Sequence, residues 1–320
     1  MIAYRSFHIP KSQRVELISD TISVVHNGQI VPLGSTLSFG STSGTYTSYE
    51  IGNNVVGCNG LFSGKTTFND NVQMPDNIMY ANRMFFGCEA LNQNIHISNN
   101  LIDGTSMFGV CENLNQNLQL PSGLLFSSGM FEDCIKFNQN IYIPDAVWYA
   151  DRMFDNCPNL NQNIHLPNNL ILASWMFRGC SNLNQNIKIP NGTISMYEMF
   201  RSCTKLRQSI HIPASVTTCA SAFAEAPCNL YFEGNNQTRF NTISNKFELL
   251  NISNLFGNPN NSSYDRTKRR NLFFNDELRV FNVRYGSVNS IVGVPITWTK
   301  ATNCFYNTLY NIYCYNNYRG

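Results

Sequence analysis

The sequence predicts a mainly β solenoid, an elongated stack of short repeated units between a small β-rich N-terminal domain and a mixed C-terminal domain. Three observations predict it. A phrase returns every 23 residues from Leu61 to Phe223 without an insertion, so that phenylalanine recurs at Phe62, Phe85, Phe108, Phe131, Phe154, Phe177, Phe200 and Phe223. Cysteine keeps the same register at Cys88, Cys111, Cys134, Cys157, Cys180 and Cys203, and a short aliphatic alternation followed by proline recurs between them. A fixed period of roughly 20 to 50 residues marks units that cannot bury their apolar faces alone and must stack on one another.

Residues 1–58 do not share the period and are assigned to an N-terminal capping or attachment domain. Val15 to Ile18 and Thr21 to Val25 read as short strands, and His26, Asn27 and Gly28 form a turn before Gln29 to Leu33, a hairpin with the Asn-Gly signal. The following FGSTSGTYTSYEIGNN is a loop by composition. A cap is needed because the first repeat would otherwise expose its stacking face and an unpaired strand edge.

The solenoid itself is assigned to residues 59–232. Ile95 and Ile97, Leu118 and Leu120, Ile141 and Ile143, Ile164 and Leu166, Ile187 and Ile189, and Ile210 and Ile212 alternate with His96, Gln119, Tyr142, His165, Lys188 and His211. Period two puts the aliphatics inside and the second set on the solvent face of a strand. Proline at Pro75, Pro121, Pro144, Pro167, Pro190 and Pro213 then stops the strand. A second apolar contact follows at Leu101, Leu124, Val147, Leu170 and Val216, and the Met-Phe pair begins a short helical or 3₁₀ turn that buries Phe and Cys against the next repeat.

The 11 cysteines do not have the spacing of a disulfide framework. One register position suits a small apolar residue stacked in a column, and buried reduced thiols are the expectation. Neighbouring units of a stack also lie near the separation at which a disulfide forms, so spacing leaves both states open. No two cysteines lie two to four residues apart and the histidines sit elsewhere, so no metal site is expected.

The unit I-x-I-P-x-x-V-x-x-x-x-x-x-F-x-x-C-x-x-L, best kept in IHIPASVTTCASAFAEAPCNL from Ile210, resembles the leucine-rich repeats of the BspA type found in bacterial surface proteins and in some phage and protist proteins. The Met-Phe and FNQNI wording is similar to related surface-protein repeats of mycoplasmas and other Firmicutes. The resemblance covers about residues 59–232, with Thr193 in the apolar column and Ala222 in place of methionine as departures. It implies a right-handed parallel β-solenoid of the leucine-rich type, used for binding or structure rather than catalysis.

Asparagine repeats as well. Asn92, Asn115, Asn138, Asn161 and Asn184 are each followed by Gln and Asn, a pattern that suits an amide ladder satisfying turn and backbone groups from unit to unit, with a ligand-binding row as the alternative for its outward members. Charged residues are only 13%, about half the usual share, so the polar surface is built from amides and hydroxyls and is poorly suited to steering nucleic acid. The net charge of +2 is unevenly spread: Lys+Arg against Asp+Glu runs 3 to 3 over residues 1–58, 9 to 13 over 59–238 and 10 to 4 over 239–320.

The C-terminal domain, residues 233–320, is expected to cap the array or to bind. NTISNKFELLNISNLFG around Phe247 and Phe256 reads as a diverged repeat or a capping helix. The basic run Lys268, Arg269, Arg270 and the tyrosines Tyr306, Tyr310, Tyr313, Tyr315 and Tyr318 form the candidate interaction surface, since tyrosine offers apolar area and a hydroxyl at low entropic cost. No catalytic residue and no cofactor are expected. His96, His165 and His211 are separated by two or more repeats, and acidic pairs such as Asp151 with Asp155 or Glu132 with Asp133 do not recur.

No run of 18 or more apolar residues predicts a membrane span. The N-terminal MIAYRSFHIPKSQRVELISD has no basic cluster followed by an apolar run and a small-residue cleavage site, and reads as no secretory signal. A surface adhesin, favoured by the resemblance, needs export, whereas a virion part does not. The expectation is therefore a non-enzymatic bacteriophage virion protein of the tail or fibre, located in the virion and assembled in the host cytoplasm. Its expected partners are other virion proteins, copies of itself and a host surface glycan or protein, without nucleic acid or membrane insertion. A bacterial cell-surface adhesin and a capsid or portal-proximal decoration protein are the alternatives.

Overall fold

The computed structural model describes residues 56–232 continuously, together with the backbone of short strands on either side. These are β1 (Ser23–His26), β2 (Gln29–Pro32), β3 (Tyr49–Ile51), β4 (Val72–Gln73), β5 (Ser209–Ile212), β6 (Asn229–Phe232), β7 (Phe240–Asn241), β8 (Lys246–Phe247), β9 (Arg270–Asn275), β10 (Tyr306–Asn307) and β11 (Tyr310–Tyr315). Val15 to Ile18, most of the Gly/Ser/Thr-rich stretch after β2 and Phe256 lie outside the described residues.

The repeats stack unit on unit, and their core is a set of parallel columns. All eight repeated phenylalanines are fully buried, and successive rings stack with centroids 5.3–5.6 Å apart. Met84, Met107, Met130, Met153, Met176 and Met199 form a second buried column and the six in-register cysteines a third. Where phenylalanine replaces leucine, at Phe137, its ring packs at 4.9 Å on Phe131. Thr193, the polar residue of an apolar column, is fully buried with its hydroxyl donating to the Leu170 carbonyl at 3.2 Å. Ser98, standing where other units have proline, is equally buried and donates to the Ile78 carbonyl at 2.7 Å.

The expected mainly β parallel solenoid with short helical turns is corrected on both counts. Among the described residues there is no helix, and between β4 and β5 there is no strand, only single parallel bridges such as Tyr80 to Asp103 and on to Phe126 and Tyr149. The aliphatic alternations at Leu118–Leu120, Ile141–Ile143, Ile164–Leu166 and Ile187–Ile189 are not paired strands. Each is three residues long, bounded on one side by the Asn-Gln-Asn run and on the other by a proline that has no N–H to give, which leaves too little backbone for a ladder. Strand pairing survives at this position in the first and last units, where outside segments join it. There β4 pairs parallel with β3, which pairs with the β1–β2 hairpin, and β5 pairs parallel with β6, which continues to β9 and β11. β10 closes that sheet antiparallel to β11, while β7 and β8 pair separately.

The unit-to-unit hydrogen bonds lie instead in the Met-Phe turn. Alternate residues donate to the next unit, as Ala81 N–H to Asp103 O, Arg83 to Thr105, Phe85 to Met107 and Gly87 to Gly109, at 2.8–3.0 Å. The residues between them donate three back within the unit, as Met84 N–H to Ala81 O and Phe86 to Arg83. Half of the peptides thus point along the stack and half lie across it, and a helix, which needs consecutive in-chain bonds, cannot form. This geometry demands two left-handed residues per unit, for instance Arg152 at φ 59° with Asn156 at φ 56°. Glycine meets the demand at Gly64, Gly87, Gly129 and Gly179, whereas Val110 meets it at φ 60° against the steric preference of a β-branched side chain.

Candidate functional site

The amide repeats build the most developed surface feature of the stack. Each ladder asparagine accepts, on its Oδ1, the backbone N–H of the matching residue one unit on: Asn115 to Asn92, Asn138 to Asn115, Asn161 to Asn138, Asn184 to Asn161 and Arg207 to Asn184, all at 2.9 Å. The glutamine that follows reaches back along the same line, as Gln139 Nε2 to the Asn115 carbonyl at 3.1 Å and to its Oδ1 at 3.0 Å. The side chains thereby do on this edge what backbone pairing would do in a sheet. With Oδ1 engaged, the Nδ2 groups remain as a row of donors one unit apart.

A second row runs beside the first, two residues earlier in each unit: Asn113, Lys136, Asn159, Asn182 and Lys205. Its members touch along the row, Lys136 Nζ to Asn113 Oδ1 at 2.5 Å and Lys205 Nζ to Asn182 Oδ1 at 2.6 Å. The rows line an open groove of about 780 Å³, walled by Asn115, Asn138, Asn161 and Asn184 and by Lys136, Asn159, Asn182 and Lys205, with Arg207 at its far end. No carboxylate lines it.

A charged cluster occupies a different edge, where the residues at one register position read Glu132, Asp155, Arg178 and Arg201. Arg178 binds the nearly buried Asp155 through Nε at 2.8 Å and Nη2 at 2.5 Å, Arg152 bridges Asp155 and Glu132 at 3.5 and 3.3 Å, and Arg201 holds Glu198 at 2.9 Å. The Arg152 guanidinium also lies 4.6 Å over the Trp175 ring. Burial pushes the carboxyls of Asp155, Glu132 and Asp151 above their ordinary range despite these arginines. Glu132 and Asp155 are therefore joined as parts of one ion-pair network. Reading the sequence in steps of 23 along this column, two acids and then two bases, would have revealed it.

Among the described residues the cysteines are free thiols, all buried. Each column member donates its S–H to the phenylalanine carbonyl 26 residues earlier, from Cys88 on Phe62 to Cys203 on Phe177, at 3.0–3.1 Å. Burial pushes the Cys58 and Cys88 thiols up to about 12 and raises Cys111, Cys134, Cys157, Cys180 and Cys203 likewise. On the outward column His165 stacks on Tyr142 at 6.3 Å, and His96 stands 3.9 Å from Asp76.

The residues singled out in the C-terminal part are only partly brought together. Arg270 opens β9 and its backbone faces Tyr310 of β11, with Tyr313 opposite Phe273 and Tyr315 opposite Asn275; Tyr306 lies in β10. Lys268, Arg269 and Tyr318 lie outside the described residues.

Comparison with protein families matches residues 126–263 to the BspA type leucine rich repeat region in six copies. The repeats within that span are of the BspA leucine-rich type. Residues 47–121 match a Mycoplasma protein family of unknown function. A comparison with curated protein sequences returns no match. Among solved structures, a leucine rich repeat protein of T. pallidum is 19% identical over 50% of this chain and 84% of its own, with a TM-score of 0.42. One from Bacteroides ovatus is 16% identical over 82% and 67%, at 0.48, and a leucine rich cell surface protein from Faecalibacterium prausnitzii is 15% identical over 62% and 82%, at 0.29. These are bacterial leucine-rich repeat proteins, one of them a cell surface protein by its description. The expected bacteriophage tail or fibre component, its virion partners and its location in a virion are corrected: the family matched is the BspA type, and the structures returned are those of bacterial proteins.

Proposed function

We propose that this protein is a non-catalytic binding protein of a bacterial cell surface, adhesin-like in use. The observation that carries the proposal is the BspA-type repeat array with a continuous amide-lined groove along it. Such a stack presents many copies of one contact in register, which suits weak multivalent capture of an extended partner. A non-catalytic role is further supported by the state of the reactive groups. The thiols are buried and hydrogen-bonded with raised pKa, which keeps them from the thiolate form, and Glu132 and Asp155 are held by arginines. No helix among the described residues is long and apolar enough to cross a membrane.

The test is protease shaving of intact bacteria that produce the chain, followed by an attachment assay. Release of its peptides from whole cells, and reduced attachment when the gene is deleted, is the expected result. Peptides that appear only after lysis would overturn the surface assignment.

A further inference from the structure

The geometry points to an extended acidic polysaccharide, bound lengthwise, as the ligand of the groove between the two amide rows; this rests on the surface-binding reading above. Four properties of the groove select that chemistry. The first is its linearity: one unit advances the stack by about one strand spacing, roughly 4.8 Å, comparable with one sugar residue of an extended chain, so that successive residues meet the same side chains. The second is the kind of group on offer. The Nδ2 donors of Asn115, Asn138, Asn161 and Asn184, together with the amides of Asn159 and Asn182, suit hydroxyls and ring oxygens, which both donate and accept.

The third property is the sign of the charge. Lys136, Lys205 and Arg207 are exposed, line the groove and form no ion pair among the described residues. Asp133, three residues before Lys136, and Asp155, four before Asn159, line the charged cluster with Arg178 and Arg201 instead, and no acid lies within the walls of the groove. The fourth is charge density. Lys136 and Lys205 are three units apart, roughly 14 Å at one strand spacing per unit. That sparse pattern matches a hydroxyl-rich polymer carrying acid groups at intervals better than a nucleic acid with a phosphate on every residue, and no aromatic ring lines the groove for a base to stack on.

The experiment is biolayer interferometry on the full chain with four probes: polygalacturonate, dextran sulfate, unsubstituted dextran and a single-stranded oligothymidine. Binding of at least one acidic polysaccharide is expected, and the first two arms distinguish carboxylate from sulfate as the recognised group. The triple variant Lys136→Gln, Lys205→Gln, Arg207→Gln keeps the amide rows and should bind at least about tenfold more weakly. Lys188→Gln, which removes an exposed charge from the outward column, should stay within about twofold of wild type. A second variant, Asn159→Asp with Asn182→Asp, sets two carboxylates among the three cations of the groove, lowering its charge without removing a backbone ladder bond, and should weaken binding as well. The assignment is overturned if neither acidic polysaccharide binds, if dextran or oligothymidine binds as tightly, or if the groove variants match wild type. Failure here with shaving of the protein from cells intact removes only the ligand assignment. Groove binding by a protein that shaving never reaches removes only the surface reading.

Discussion

Phe154→Ala tests whether the repeats are held by one continuous stack. The ring is fully buried, with Phe131 and Phe177 both at 5.6 Å and Phe137 at 6.1 Å. Its removal forfeits about 1.5–3 kcal/mol of apolar transfer and two ring contacts of about 0.5–1.5 kcal/mol each. The neighbouring units cannot close the gap, because Phe131 N–H is bonded to Met153 O and Phe154 N–H to Met176 O, both at 2.9 Å, which fixes the spacing of the three layers. The cost should therefore lie in the upper part of the range for buried phenylalanine, about 4–5 kcal/mol. Phe154→Leu, which keeps most of the volume and loses the ring faces, should cost only about 1–2 kcal/mol. Urea unfolding followed by circular dichroism and by the fluorescence of Trp148, six residues before Phe154, and Trp175, two residues before Phe177 of the next unit, reads both the size of the loss and its place. Since each unit touches only its neighbours, a single transition should split in the alanine variant. A loss below about 1 kcal/mol, or equal losses in the two variants, would refute the reasoning.

Three further outcomes are expected. Val110→Gly should raise the melting temperature by about 2–4 °C, relieving roughly 1–2 kcal/mol of left-handed strain at a smaller entropic cost; a lower melting temperature would show that φ 60° is not strained there. Burial holds Asp155, Glu132 and Asp151 above their ordinary range, so the folded chain keeps their protons longer than the unfolded one, and the stability this contributes is full below the unfolded value of about 4 and is lost as pH rises through the folded values. Asp151→Asn should keep the bond from Ser174 N–H, now 2.7 Å to the carboxylate, as Asn59 does for Asn82 at 2.8 Å, and its melting temperature relative to wild type should climb between pH 4 and pH 7; a constant difference would refute the assigned burial penalty. Arg178→Met leaves the Asp155 carboxylate buried without its bidentate partner. It should cost about 2 kcal/mol at pH 7, less than for a fully buried pair because Arg178 is one-third exposed, and adding Asp155→Asn should recover most of that in the same denaturation assay.

The phenylalanine, methionine and cysteine columns were legible because burial at a fixed period leaves its mark in side-chain type. The hydrogen bonds were not. Ile141 and Ile143 alternate as a strand would, yet alternation records which side of an extended chain is buried, and does not record whether its backbone finds a neighbour. Proline at Pro144 and the amide run before Ile141 were visible, and together they take up the pairing positions of that short segment. The Met-Phe turn reads as helical in composition, but Arg152 and Asn156 sit in the left-handed region, a conformation that only the glycines at equivalent positions betray in sequence, Gly60 and Gly129 for the first and Gly64, Gly87 and Gly179 for the second. The groove was half legible. Its asparagine row was noticed, but the row of Lys136 and Lys205 was not, because a column with asparagine at three places and lysine at two looks like noise until the units are stacked. The tyrosines drew attention for their composition, and composition has no geometry.

The two rows of the groove stand under different constraints, and the difference bears on how such a surface can acquire a specificity. In the ladder row, Asn138 Oδ1 accepts the N–H of Asn161, and its carbonyl and Oδ1 accept from Gln162 at 3.1 Å. Changing that residue removes bonds that hold one unit to the next, at about 0.5–1.5 kcal/mol for each bond lost and more where a backbone group is left without a partner. In the row beside it, Lys136, Asn159 and Lys205 are exposed, and their side chains exchange only contacts of about 0–1 kcal/mol along that row, while the unit-to-unit bonds at Lys136 and Lys205 are made by the backbone N–H. The chain can therefore vary the second row almost freely while the first keeps the pitch. A binding surface arises in which donors at fixed intervals are supplied by the fold itself, and charge is set independently, unit by unit, by residues on which folding makes little demand.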